Sequence, residues 1–403
     1  MQRKSGMFKL VLLIGLAAGG VIAVAGNLNP PAGLVAPTHK TLTDVEPRVA
    51  INATNTPGDA DSVFRITQAG SYYLTGNIAG VAAKSCIEVE VVAPGAVSID
   101  LAGFQIIGTG ASLPGVFVAE GGGNVTPITI RNGRIHGGNY AIRALAATSS
   151  VVENVHVTGS TIGILCGANA LVRGCTVRGV GSTAGIMVGG NSIVEHCISE
   201  SNSGDGIRTD RSCIVRDCVS NNNTGNGITP FFADRLTVER CVCTGNGGNG
   251  VQVDDYGAVR QCTAAGNTLD GIEAQDGGTI TDCSATQNGQ DGIEVSDRCH
   301  VVGNTCDGNG ASSVAAGIQA TGSDSRIEGN FCSNADKGID VDGAGNIIVR
   351  NTCTGNTTNN WEFVANNVFG PIVDRTAPAS PAVAGNTAVD STATTHPNAN
   401  FTY

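Results

Sequence analysis

Two nearly identical heptapeptides carry much of the acid in the middle of the chain: DGIEAQD from Asp270 and DGIEVSD from Asp291. Their alignment puts Glu273 with Glu294 and Asp276 with Asp297, and VDDY adds Asp254 and Asp255 one copy earlier. Carboxylates so arranged have three uses. They cap turns, because Asx side chains bond local backbone. They hold Ca²⁺, which takes several oxygens at about 2.4 Å. Or they serve as acid and base on a sugar polymer. Asp255, Asp276 and Asp297 share one offset in three consecutive copies, with no basic column written beside them. Stacked about 5 Å apart, like charges repel by roughly 1 kcal/mol even in water. Ca²⁺ bridging that column would neutralise it; turn capping is the competing reading. Asp270 and Asp291 read as caps, since Asn226 and Asn249 fill the same place in other copies.

A second set of residues suits sugars. Phe231, Phe232 and Tyr256 stand near Arg208, Asp210 and Arg211 in a chain with only 4% aromatic residues. Aromatic faces beside carboxylates and a guanidinium make a carbohydrate groove; the competing reading tucks the phenylalanines over a corner as a local cluster. The six histidines do not cluster, as His136, His156, His196 and His300 fall at different offsets. No Ser-His-Asp arrangement is written.

What positions these residues is a repeat. IVEHCISESNSGDGI, IVRDCVSNNNTGNGI and ITDCSATQNGQDGI share an apolar residue, two polar ones, Cys, Asn five places on, then Gly-Ile. The pivot runs Gly133, Val155, Cys175, Cys197, Cys218, Cys241, Cys262, Cys283, Asn304, Asn330 and Asn351, in steps of 20 to 26 residues. Each copy is two or three short β-like runs broken by Asn, Gly and Asp, with no helical periodicity. So short a unit cannot bury its apolar face alone, but stacked copies can, each strand pairing in parallel with its equivalent one repeat away. The expected fold is all-β, a three-sided parallel coil with turns of about 21 residues.

Columns follow from stacking. Stacked strands lie about 4.8 Å apart, whereas a disulfide wants Cβ atoms about 3.8 Å apart, so the six pivot cysteines are expected as a buried thiol ladder. Cys306, Cys332 and Cys353 exchange with Ala264 and Ala285 and read as small core residues. Asn202, Asn223, Asn246, Asn267, Asn288 and Asn309 read as a structural amide stack. Glu153, Arg173, Glu195, Arg216, Glu239 and Arg260 alternate in sign two before the pivot and read as an outward salt-bridge stripe.

On these repeats the chain resembles the right-handed parallel β-helix of the pectin-lyase-like superfamily, over roughly residues 62–365. PAGLVAPTHKTLTDVEPRVAI and the final NANFTY are also similar to secreted β-helix proteins of planctomycete-type bacteria, a resemblance that implies a compartment and no chemistry. The superfamily holds lyases, hydrolases, epimerases, esterases and adhesins, so the fold does not choose among them. Of the polygalacturonase series N-T-D, D-D, G-H-G, R-I-K, only Asp254-Asp255 matches, and RIE at Arg326 replaces R-I-K. The D-P-H-D of epimerases is absent. A pectate lyase would need a basic residue in the acidic groove; Arg260 is the nearest, and the salt-bridge stripe already accounts for it.

Around the coil, MQRKSGMFKLVLLIGLAAGGVIAVA reads as a signal peptide over residues 1–25. Residues 26–61 read as an N-terminal arm and 366–403 as a tail or cap, with Trp361 and Phe363 placed to close the end of the coil. The location expected is secreted, periplasmic or cell-surface, with membrane contact only through an uncleaved signal segment. A net charge of −11 argues against nucleic acid. The function expected is a non-catalytic carbohydrate-binding or structural coil facing a polysaccharide or cell-surface glycan. The alternative is a Ca²⁺-dependent lyase or a glycoside hydrolase acting on acidic polysaccharide.

Overall fold

The computed structural model describes residues 48–91, 95–109, 113–119, 127–231, 234–310, 315–374 and 395–402. The expected signal peptide, most of the arm and much of the tail lie outside them.

One turn shows how the chain folds. Val and Ile at alternate positions favour short extended runs, and Asn, Asp and Gly between them allow sharp corners. Ile272–Ala274 lies on a first face, Thr279–Thr281 on a second and Ser284–Thr286 on a third. The next turn repeats this 21 residues on, with Ile272 beside Ile293, Ile280 beside Val301 and Ala285 beside Cys306. Fourteen parallel strands, from Ser62–Ile66 to Asn359–Phe363, make the first face. The second and third faces form one continuous sheet, joined where Ile128–His136 and Val151–Thr158 bend round their shared corner. The result is a right-handed parallel coil of about 14 turns, with no helix among the described residues. The ladder begins within the expected arm, where Val49–Ile51 pairs with Gly70–Leu74, and ends within the expected tail, where Asn400–Thr402 pairs with Thr352–Thr354.

The corner between second and third faces is a single residue in the left-handed region, as at Asp217 (φ 54°), Gln261 (54°) and Asp282 (54°). The pivot follows it. All fourteen cysteines are free and buried. In the pivot column each sulfur takes the place an amide takes elsewhere: Cys218 Sγ accepts the Cys197 N–H at 3.5 Å and donates to the Arg216 carbonyl at 3.2 Å. From Asn304 onward the amide itself does this, accepting the Cys283 N–H at 2.9 Å.

The Asn column inside the wall is complete. Asn246 Nδ2 donates to Asn267 Oδ1 at 3.0 Å, Asn267 to Asn288 at 2.9 Å and Asn288 to Asn309 at 2.9 Å. This column explains the Gly of each Gly-Ile: a Cβ on Gly271 would lie 2.5 Å from the Gly292 carbonyl and 2.6 Å from Asn288 Nδ2. Outside, the alternating stripe pairs each Arg with the preceding Glu, Arg173 with Glu153 at 2.5 Å, Arg216 with Glu195 at 2.6 Å and Arg260 with Glu239 at 3.6 Å.

Candidate functional site

The outward side of the first face gathers most of the side chains expected to do chemistry. Its central column, one residue after each inward Ile or Val and last after Trp361, reads Arg143, Leu165, Met187, Arg208, Thr229, Gln252, Glu273, Glu294, Gln319, Asp340 and Glu362, with Ile228 beside Val251 carrying the register between Thr229 and Gln252. It runs from apolar and basic, through neutral, to acidic.

At the basic end, Arg208, Asp210 and Phe231 line a shallow hollow of about 150 Å³ with Leu145, Leu165 and Met187. The Arg208 guanidinium stacks over the exposed Phe231 ring, 4.4 Å from its centroid. Its other side opens onto a second hollow of about 280 Å³, shared with Asp205, Asn226, Thr229, Gln252 and Asp254. Of the expected sugar-binding residues, Arg208, Asp210 and Phe231 come together here, and Asp254 of the expected acidic set lines the adjoining hollow. Phe232 lies outside the described residues. Tyr256 sits apart, at the corner between first and second faces, with the Arg235 guanidinium 5.8 Å from its ring centroid.

The Asp255, Asp276, Asp297 column occupies the same corner. Asp297 Oδ1 accepts the Ser323 N–H at 2.6 Å, and Asp276 Oδ1 accepts the Asp297 N–H at 3.4 Å. The basic partner absent from the sequence pattern is Arg298, which leans back one turn to bond Asp276 Oδ2 at 2.7 Å and approaches Asp297 at 4.0 Å. Two of the three carboxylates thus already have a backbone donor and a guanidinium, so this donor set fits Ca²⁺ poorly.

A second, outward Asx column stands two residues before each inward Ile or Val. Asp205 Oδ1 accepts the Asn226 N–H at 2.9 Å, Asn226 Oδ1 that of Asn249 at 2.7 Å, Asn249 Oδ1 that of Asp270 at 2.9 Å and Asp270 Oδ1 that of Asp291 at 2.9 Å. Asp291 in turn accepts the Ala316 N–H. Asp270 and Asp291 are therefore caps, as the Asn exchanges implied. The column also touches the central one. Asn226 Nδ2 donates to Gln252 Oε1 at 3.0 Å and Asn249 Nδ2 to Glu273 Oε2 at 2.6 Å, while Gln275 holds the other Glu273 oxygen at 2.7 Å.

One turn on, Asp270, Asp291 and Glu294 converge, their carboxylate oxygens within 4.8 Å of one another. Asp270 and Asp291 are almost fully buried. Burial pushes both up from an ordinary 3.8 to about 7, and the neighbouring carboxylates add to the shift. Burial and Glu294 also raise Glu273. This spacing would admit a shared proton or a cation. Reading the chain as columns of single residues misses the cluster. Its signal is a double exchange: Asn226 and Asn249 give way to Asp270 and Asp291, as Gln252 gives way to Glu273 and Glu294. Among the described residues one other such group exists, Asp59, Asp61 and Glu88 in the first turns, beside Arg65.

Residues 114–269 and 254–392 match the family model of the right handed beta helix region, and the chain belongs to that family. Among solved structures it is similar to the A-module of the Azotobacter vinelandii mannuronan C-5 epimerase AlgE4, with TM-score 0.55 and 16% identity over 75% of this chain and 91% of that one. The AlgE6 A-module from the same organism aligns at TM-score 0.53, also with 16% identity, 75% and 91%. The catalytic unit of a GH87 alpha-1,3-glucanase from Streptomyces thermodiastaticus aligns at 0.46 and 13% identity, over 79% and 68%. At 16% identity the likeness to the two A-modules shows the coil and nothing finer. No curated protein sequence matches this chain.

Proposed function

We propose that this is an exported carbohydrate-binding coil, with a polysaccharide lying along the outward side of the first face. The carrying observation is the continuous strip on that face. It offers apolar seats at Leu165, Met187 and Phe231, the Arg208 fork, then the Gln252 amide, then the acceptors Asp254 and Glu273. Sugars present apolar C–H faces and hydroxyls that donate to carboxylates, and this strip supplies a partner for each. The acid beyond Glu273 disfavours a polyanion along the whole face, so a neutral or amine-bearing glycan fits better than a uronate. Calorimetric titration against neutral, amine-bearing and uronate polysaccharides tests this. Binding of the first two and loss of binding in Phe231→Ala are expected; no binding across the panel would leave only a structural role.

One observation favours a second reading, hydrolysis of a glycan. Asp270 and Asp291 are held near a proton-transfer range beside Glu294, as a general acid and its partner would be. Release of reducing ends by the wild-type chain, abolished in Asp270→Asn, would replace the binding reading with this one.

A further inference from the structure

The outward Asx column has a grammar, and Asp270 breaks it. At each rung Oδ1 accepts the next turn's N–H, and where the rung is Asn, Nδ2 donates sideways: Asn226 to Gln252 and Asn249 to Glu273. The same place one turn later sets Asp270 against Glu294. Two ionised carboxylates there would be acceptor against acceptor, with Asp270 almost fully buried.

The charged groups around the pair do not relieve this. Asp291, Glu294 and Glu273 all act on Asp270 with the same sign. Lys337 acts on the cluster from the far side of Asp291, and it is itself committed to Asp340 at 2.7 Å and Glu362 at 3.2 Å. Arg298 is committed to Asp276 and Asp297 at the corner.

We propose that Asp270 is a neutral carboxylic acid in the folded protein, its Oδ2–H donating to Glu294 as the Asn249 amide donates to Glu273. One proton completes the ladder and makes this turn a pH-sensitive joint in the wall. No bond is made or broken beyond the transfer of that proton to solvent as the pH rises. The raised value of Asp270, about 7, agrees with this and sets the direction. The folded group keeps its proton where the unfolded one has lost it, so its contribution is full below pH 3.8. It is lost progressively as the pH rises to about 7 and is flat above. Asp291 shifts the same way, and its charge adds to the rise at Asp270.

The test is equilibrium unfolding of the full chain, with wild type and Asp270→Asn compared across that window in EDTA. The variant carries the amide donor permanently. The ratio of its folding constant to that of wild type is expected to rise with pH, by up to about tenfold per pH unit, and then to level off. Glu294→Gln offers a donor from the other side and is expected to show the same rise, which keeps the test open should Asp270→Asn fold poorly. An infrared carbonyl band of protonated carboxylic acid in mildly acidic wild type, weaker by one carboxyl in Asp270→Asn, would support the assignment directly. A pH-independent ratio in both variants would overturn it. So would a saturable rise in wild-type melting temperature with Ca²⁺ at alkaline pH that Asp270→Asn abolishes, because a cation and not a proton would then fill the gap. All readouts are of folding or of the carboxyl itself, so the outcome does not depend on whether a glycan binds.

Discussion

The coil carries two ladders of Asx side chains, one inside its wall and one upon it. The inner ladder, Asn202 to Asn309, is amide throughout, and every Nδ2 from Asn202 to Asn288 has an Oδ1 one turn on. The outer ladder starts at Asp205, passes through Asn226 and Asn249, and ends in Asp270 and Asp291. Both solve the same problem, an N–H at a corner that no strand partner reaches. They differ in what the second half of the side chain can do. An amide both accepts and donates, so it can be stacked without limit. A carboxylate only accepts, so each one added asks for a proton or a cation from elsewhere. The interior, which neither can enter freely, holds no carboxylate rung. The outer ladder carries three, Asp205 near the Arg208 guanidinium and the almost fully buried Asp270 and Asp291, beside the face where a ligand would lie.

The largest expected effect comes from breaking the inner ladder. Asn267 accepts from Asn246 and donates to Asn288 and to the Cys243 carbonyl. Asn267→Ala leaves several buried groups without partners at once, and a loss of about 3 kcal/mol or more is expected in urea unfolding. Extending the break in the outer ladder comes next. Asn249→Asp removes the donor to Glu273 and places a second acid beside it. It is expected to cost about 1–2 kcal/mol at neutral pH, with much of the loss recovered in mild acid; an equal loss at both pH values would show that charge is not the cause. Cutting the outer stripe should matter less. Glu195→Gln weakens an ion pair with Arg216 on an exposed face and should change stability by about 0.5 kcal/mol or less, shrinking further in high salt. The smallest effect is assigned to the corner column. Millimolar Ca²⁺ is expected to leave the melting temperature unchanged, since Asp276 and Asp297 are already engaged; a rise removed by Asp276→Asn would reinstate the ion.

The fold was legible because its interactions are nearly all one repeat long. Ile272 meets Ile293 and Cys262 meets Cys283 at a constant spacing, so a period in the letters is a contact in space. The thiol ladder, the amide stack and the salt-bridge stripe followed from register alone. The acidic cluster did not. In a regular strand, residues three apart face opposite sides, which would part Asp270 from Glu273. Here Gly271 and Ile272 both face inward, the glycine against the Asn288 amide, so Asp270 and Glu273 emerge on the same side. That irregularity turns two innocent columns into one site. Arg298 escaped for a related reason. It stands at a left-handed corner residue, φ 57°, and reaches back a turn instead of outward.

The thiol column bears on how the molecule must be made. In the finished coil no sulfur is offered to solvent, so an oxidant finds nothing to attack. The same chain before closure presents fourteen thiols, and any pair joined then would have to be undone before the turns could stack. The wall that shelters the sulfurs is built partly from them. Coil formation and oxidation are therefore in a race that folding has to win. A thiol-blocking reagent should score the outcome, labelling none of the fourteen in the native protein and all of them once it is unfolded.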